Sequence, residues 1–315
     1  DDKKVEILKN SKLEGVGFIE EAKRYYPESS MSAHILGFVG KNAKGDDQGY
    51  FGLEGYYDEQ LRGRAGVYRQ EKDAKGNPIL TGKLEEIPPE NGRDLYLTID
   101  KTVQFIAEQK LKEGIEKYGA KGGSVVVMDP YTGGILAMAS YPSYDPGEFS
   151  KYPGEFYKNP AIASSFEPGS TFKVLVMGAA MNENKVKPET KYNEEGPIEI
   201  GEFTIETWNQ KYNGEITLTQ VLEYSSNVGM VFVERELGNE NLLKYIGELG
   251  FGALTEVDLQ EEASPQLRPR KKWTAIDYAT ASFGQGIAVT PLQMVRAVAA
   301  IANGGNLVRP YIVKS

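Results

Sequence analysis

The chain has 315 residues, 40% hydrophobic and 26% charged, with a formal net charge of -9, one histidine and no cysteine. This is the composition of a globular chain. The missing cysteine excludes thiol catalysis, disulfides and thiolate metal sites. The acidic balance argues against nucleic acid or anionic surfaces as partners.

In chain order, residues 1 to about 93 are short apolar runs broken by glycines such as Gly37, Gly40, Gly52, Gly55 and Gly63. Asp73-Ala-Lys-Gly-Asn77 reads as a hairpin turn, and Pro88-Pro89 with Asn91-Gly92 marks a boundary. Residues 1–93 form, on this reading, a turn-rich, mainly β pedestal, and 94–315 a second domain. No chemistry is assigned to the first part, His34 included.

A helix is predicted from Asp100, a capping residue, through Val103, Ile106, Ala107, Leu111, Ile115 and Tyr118 to Gly122-Gly123. Val125–Met128 and Ile135–Ala139 read as a hairpin joined by Asp-Pro-Tyr-Thr-Gly-Gly. The Tyr- and Pro-rich stretch 141–160 either packs as a loop or lines a groove. Irregular strands are expected over 190–215. Helices are expected around Leu218–Tyr224, Val228–Leu237, Asn241–Leu249 and Leu292–Ile301. A hairpin flanked by many helices is an α+β arrangement. The acidic pairs, Glu194-Glu195 and Glu261-Glu262 among them, read as solvated loop residues.

Chemistry concentrates in Glu167-Pro-Gly-Ser-Thr-Phe-Lys173, which runs into the apolar stretch Lys173–Met181. Positions i and i+3 share a helix face, so the Ser170 hydroxyl and the Lys173 amine can meet. A serine needs a base to become a nucleophile, and burial favours the neutral amine that could serve. The helix start also aims free N–H groups at an oxyanion. Ser-x-x-Lys alone arises about once by chance in such a chain, and a helix cap followed by a surface lysine is the alternative. With His34 more than a hundred residues upstream, a lysine base is more economical than a Ser-His-Asp triad. Ser225-Ser226-Asn227, between two helical patterns, can present a hydroxyl and an amide together, since residues two apart point the same way in a loop or extended stretch. A capping serine with a turn asparagine is the alternative there.

These motifs resemble those of class B penicillin-binding proteins, peptidoglycan D,D-transpeptidases whose superfamily shares Ser-x-x-Lys, Ser-x-Asn and Lys-Thr/Ser-Gly. Gly52-Leu-Glu-Gly55-Tyr-Tyr-Asp, Leu97-Thr-Ile-Asp100, Ser124–Gly133 and Phe283-Gly-Gln-Gly286 extend the resemblance along nearly the whole chain. One departure stands out: no Lys-Thr-Gly or Lys-Ser-Gly occurs in the 315 residues. Truncation before that motif, with the C-terminal strands that in the family complete the central sheet and carry the second oxyanion donor, and loss of an N-terminal membrane anchor, are the expectations.

The resemblance implies a five-stranded antiparallel sheet between a helical and a mixed lobe. It implies catalytic roles for Ser170, Lys173 and Ser225, substrate binding by Asn227, and no metal or organic cofactor. Implied partners are peptidoglycan stem peptides, β-lactams, a glycosyltransferase and division or elongation proteins. The implied location is the extracytoplasmic side of a bacterial plasma membrane. A D,D-carboxypeptidase, a β-lactam-hydrolysing relative and a non-catalytic scaffold are the competing readings. Without the third motif the 315-residue chain is expected to be weakly active or inactive, with Val125, Val127 and Ile135 partly uncovered.

Overall fold

The structure is a computed structural model and describes residues 2–11, 13, 16, 18, 23–71, 73, 79 and 83–315. Residues 74–77 of the anticipated hairpin turn lie outside the described residues. The N-terminal part carries α1 (Asp2–Asn10), α2 (Ala33–Leu36), the antiparallel pair β1 (Phe38–Lys41) and β2 (Asp47–Tyr50), and α3 (Gly52–Tyr56). Then follow α4 (Asp58–Leu61) and a second antiparallel pair, β3 (Val67–Gln70) with β4 (Leu84–Ile87).

Asp100 caps α5 (Lys101–Tyr118) as its position predicts, accepting hydrogen bonds from the Thr102 and Val103 amides at 2.8 and 3.0 Å. The helix stops before Gly119, ahead of Gly122, because Gly119 takes the left-handed conformation that closes a helix end, its N–H donating to Ile115 O. The hairpin is β5 (Gly123–Met128) and β6 (Ile135–Tyr141). Buried Gln104 fastens α5 to β6. Its amide donates to the Met138 carbonyl at 3.0 Å and accepts from the Met138 N–H at 2.8 Å.

Five two-stranded antiparallel sheets are formed among the described residues, and β5 and β6 are the part of the expected central sheet that they contain. The strand-forming runs beyond the hairpin pair with one another. These are β7 (Lys191–Glu194) with β10 (Gly214–Thr217), and β8 (Ile198–Ile200) with β9 (Phe203–Ile205). On its other side β6 meets bridged segments: Ile135 N–H donates to Tyr311 O and Asp100 N–H to Leu136 O, both at 2.9 Å, and Thr98 N–H ties these segments together through Ile312 O at 2.7 Å. The Tyr311 contact, with Leu292 and Ile312 in the same cluster, buries Ile135 completely, against the expectation that it would be uncovered. Val125 and Val127 are half-buried.

The short α6 (Pro160–Ala163) packs with the hairpin, and the helical lobe is α7 (Lys173–Asn182), α8 (Leu218–Glu223), α9 (Asn227–Leu237), α10 (Asn239–Glu248), α11 (Ala275–Ala281) and α12 (Pro291–Ala302). Its main core joins α7, α9, α10 and α12 through residues such as Val176, Ala180, Met230, Val231, Leu242 and Ala297. A second cluster ties the N-terminal part to the hairpin through Ile35, Leu53, Ile135, Ile162 and Ile312. Of the tyrosines in 141–160, Tyr144, Tyr152 and Tyr157 pack as a loop against the N-terminal part, and Tyr141 ends β6. Tyr144 is fully buried beside Ala33 and Phe38, with Tyr152 and Tyr157 against them. His34 belongs to this junction, its Nε2 2.9 Å from Phe156 O, and burial pushes its pKa down to about 4. No helix among the described residues is long and apolar enough to cross a membrane.

Candidate active site

Ser170 lies in a 3-10 turn, Gly169–Phe172, that runs directly into α7. Two contacts hold this turn from outside. Phe166 and Val289 exchange backbone hydrogen bonds of 2.9 and 3.0 Å, and Gly169 N–H donates to Gly284 O at 2.9 Å. Gly286 N–H adds a bond of 3.0 Å to Glu167 Oε1. Gly284 has φ +77°, and a Cβ there would stand 2.2 Å from Gly169 O, so only glycine permits this approach.

Lys173 is 2% exposed, and its side chain reaches away from its own helix. Nζ donates to Ser225 O at 2.7 Å, Ser225 Oγ at 3.1 Å and Asn227 Oδ1 at 2.9 Å. Ser225 Oγ in turn lies 3.0 Å from Ser170 Oγ. The direct Ser170–Lys173 contact expected from the i, i+3 spacing is replaced by this bridge, because the lysine amine is drawn to the three oxygens of the Ser225–Asn227 segment. Burial lowers the Lys173 pKa to about 8.

Ser225 and Asn227 do meet at one point, for a reason other than strand-like alternation. Ser225 takes φ 55°, a left-handed conformation that costs a non-glycine residue roughly 1–2 kcal/mol. Ser226 then caps α9, accepting from Gly229 N–H at 2.9 Å, and Asn227 is the first residue of that helix. The Asn227 amide is oriented by its Nδ2, which donates to Glu206 O at 2.9 Å. All four candidate residues anticipated from the motifs therefore converge.

They open onto a cleft of about 830 Å³ lined by Ser170, Ser225, Asn227, Trp208, Lys211 and Gln285, among others. The Trp208 ring is 75% exposed at this wall. Sequence reasoning passed over that wall and over Glu194. Read as a solvated loop residue, Glu194 is 1% exposed and accepts from Ser226 Oγ at 2.5 Å and Asn213 Nδ2 at 2.7 Å. Those partners are 32 and 19 residues away, so no local pattern marks it. Glu262 is likewise engaged, its Oε1 accepting from Thr255 N–H at 2.7 Å.

The three-acceptor environment of Lys173 dictates its chemistry. An ammonium uses all three protons here. A neutral amine has a lone pair instead of one proton, and that lone pair needs a donor. The Ser225 carbonyl cannot donate, and Asn227 turns its oxygen to the lysine, leaving the Ser225 hydroxyl. Once Ser225 O–H points at Lys173, its oxygen is free to accept from Ser170. Deprotonating the lysine thus reverses both bonds and makes a two-step proton path away from Ser170.

A family model described as penicillin binding protein transpeptidase domain matches residues 123–315, and one described as penicillin-binding protein dimerisation domain matches residues 1–97. The chain is 39% identical to stage V sporulation protein D of Bacillus subtilis, over 99% of this chain and 48% of that protein. It is 34% identical to peptidoglycan D,D-transpeptidase FtsI of Escherichia coli K12, over 98% of this chain and 51% of that one. The crystal structure of penicillin binding protein 2X from Streptococcus thermophilus superposes with a TM-score of 0.80 at 30% identity, covering 92% of this chain and 43% of that chain. The chain spans about half the length of the curated relatives it matches.

Proposed function

Because this chain belongs to the penicillin-binding protein transpeptidase family, as a class B member with a dimerisation domain ahead of the transpeptidase domain, we propose that it forms a serine acyl-enzyme with the D-Ala-D-Ala end of a peptidoglycan stem. The observation that carries this reading is the Ser170–Ser225–Lys173 chain of polar contacts at the floor of the cleft.

With Lys173 neutral, the Ser170 oxygen attacks the penultimate D-alanine carbonyl. Its proton passes to Ser225 Oγ while the Ser225 proton passes to Lys173 Nζ. The Ser170 N–H, at the start of the 3-10 turn, faces the developing oxyanion. Collapse breaks the C–N bond, and the proton held by Lys173 returns through Ser225 to the departing amine of D-alanine. Asn227 hydrogen-bonds the amide backbone of the stem. An amine of a neighbouring stem then attacks the ester, loses its proton to the same path and regenerates Ser170, leaving a cross-link. A β-lactam enters as a mimic of the dipeptide and stays attached after its ring opens.

In this reading the protein works on the outer side of the bacterial plasma membrane, beside glycosyltransferase and division or elongation proteins. Intact-mass spectrometry after incubation with a penicillin tests the acyl-enzyme. One adduct of the antibiotic's mass is expected on a domain that carries the Lys-Thr/Ser-Gly triplet, with slow adduct formation on this chain and none on Ser170→Ala. An adduct that survives that substitution would sink the assignment.

A further inference from the structure

We propose that Glu194 is a positioning residue for this acylation, holding Ser225 and Asn227 against Lys173 through Ser226. The inference rests on the reaction proposed above.

Glu194 ends β7 and is buried with neutral partners on both carboxylate oxygens. Ser226 Oγ donates to Oε1 at 2.5 Å, and the Asn213 N–H and Nδ2 donate to Oε2 at 3.0 and 2.7 Å. Burying a carboxylate is unfavourable unless such charge-assisted bonds repay its lost hydration. Each of these bonds fastens one part of the site. Ser226 lies between the two residues that contact Lys173. Its oxygen already accepts from Gly229 N–H, so its single proton is committed to Glu194 and the hydroxyl cannot rotate. Asn213 closes the 206–213 segment, which supplies the Glu206 carbonyl that orients Asn227 and the Trp208 and Lys211 wall of the cleft.

The loop needs such a clamp. Ser225 sits in a left-handed conformation that its own preferences disfavour, so local sequence alone does not hold its hydroxyl 3.0 Å from Ser170. Gly229 removes the alternative of loose packing. A Cβ there would come within 2.6 Å of the Val221 side chain and 3.1 Å of Ser226 Oγ. With α8 and α9 this close, the connector's remaining freedom is rotation of the Ser225–Asn227 backbone, which the Glu194–Ser226 bond opposes. Without that bond the three oxygens that receive Lys173 lose their common focus, and the proton path to Ser170 lengthens.

The test is acylation by a penicillin across a concentration series, giving a maximal rate and a half-saturating concentration for the unsubstituted chain, Glu194→Gln, Ser226→Ala and the double variant. The maximal rate is expected to fall about tenfold to a hundredfold in each single variant, as for a misplaced reacting group. The half-saturating concentration should stay within about twofold, and the double variant should lose no more than the worse single one. Val233→Ala, a buried truncation in α9, is the control for general loosening. If Glu194→Gln does not fold, Ser226→Ala decides alone, since it removes a hydroxyl and no charge. An unchanged maximal rate in either single variant, additive losses in the double, or losses that simply follow melting temperature through Val233→Ala would overturn the positioning role. Slow acylation of the unsubstituted chain is the expected baseline without the Lys-Thr/Ser-Gly triplet, and an adduct that forms on Ser170→Ala would overturn the reaction itself.

Discussion

At the residue scale the site turns on one buried amine. A lysine with its pKa lowered to about 8 is neutral in roughly one molecule in ten at pH 7, enough to supply the base of the proposed reaction. Acylation should therefore rise about tenfold per pH unit below pH 8 and level off above it, as stopped-flow penicillin binding would record. Lys173→Arg should abolish acylation at every pH, because a guanidinium keeps its proton and cannot accept the one from Ser225. Residual acylation by the arginine variant with the unsubstituted chain's pH profile would exclude Lys173 as the base. Stability carries the same signature. Between about pH 8 and the ordinary lysine value of 10.5, the unfolded chain binds more protons at this position than the native one. The contribution of Lys173 to stability therefore grows as the pH rises through that window.

At the scale of elements, Ser170 is placed by a segment more than a hundred residues away. The Phe283–Gly286 stretch presses on the 3-10 turn so closely that its glycine has no room for a methyl group. Gly284→Ala must either distort the left-handed backbone at φ +77° or push Gly169 aside. Overpacking alone is worth about 1–3 kcal/mol. A urea melt should report a loss of at least that size. Acylation should drop further than stability does, because Gly169 adjoins Ser170, the nucleophile of the proposed reaction. A variant as stable and as fast as the unsubstituted chain would mean that the turn adjusts freely. The same closeness explains why Phe-Gly-Gln-Gly stands out as a motif without carrying a reactive group.

For the whole molecule, the N-terminal part and the hairpin domain share their cores. Ile35 and Leu53 lie with Ile135 and Ile312, and Tyr144 is enclosed by Ala33 and Phe38. The Asp258 carboxylate adds a polar clamp, accepting from Ile312 N–H at 2.7 Å, Val313 N–H at 2.8 Å and Tyr57 O–H at 3.2 Å. A chain of residues 94–315 alone should expose this apolar surface, bind a hydrophobic dye and aggregate. A monomeric, cooperatively melting 94–315 would contradict that. The 315 residues also contain no Lys-Thr-Gly or Lys-Ser-Gly. Losing one oxyanion donor lowers a rate about a hundred- to a thousandfold. Acylation of this chain should be slower by at least that factor than acylation of a relative that carries the triplet, under one buffer and one penicillin. Equal rates would show that the triplet is dispensable here.

Local preference acts within a few residues, and that is the range over which the sequence by itself decided this protein. Asp100 capping α5, the paired apolar runs of β5 and β6, the start of the Ser170 turn and the helices on either side of Ser225 were all legible, because capping, alternation and turn residues are short-range. The four candidate site residues were legible as motifs for the same reason. What the sequence left open depends on groups brought together from afar. The lysine contacts Ser225, 52 residues on, and reaches Ser170 only through it. Glu194 was read as solvated because its burial depends on strand β10 and the cap of α9, which no neighbouring residue announces. The strand-forming runs after residue 190 were visible, but their partners were set by packing over α9 and by which edges were left to pair. Hydrogen bonds and desolvation between distant segments belong to the tertiary structure, and there the Lys173–Ser225–Ser170 contacts were decided.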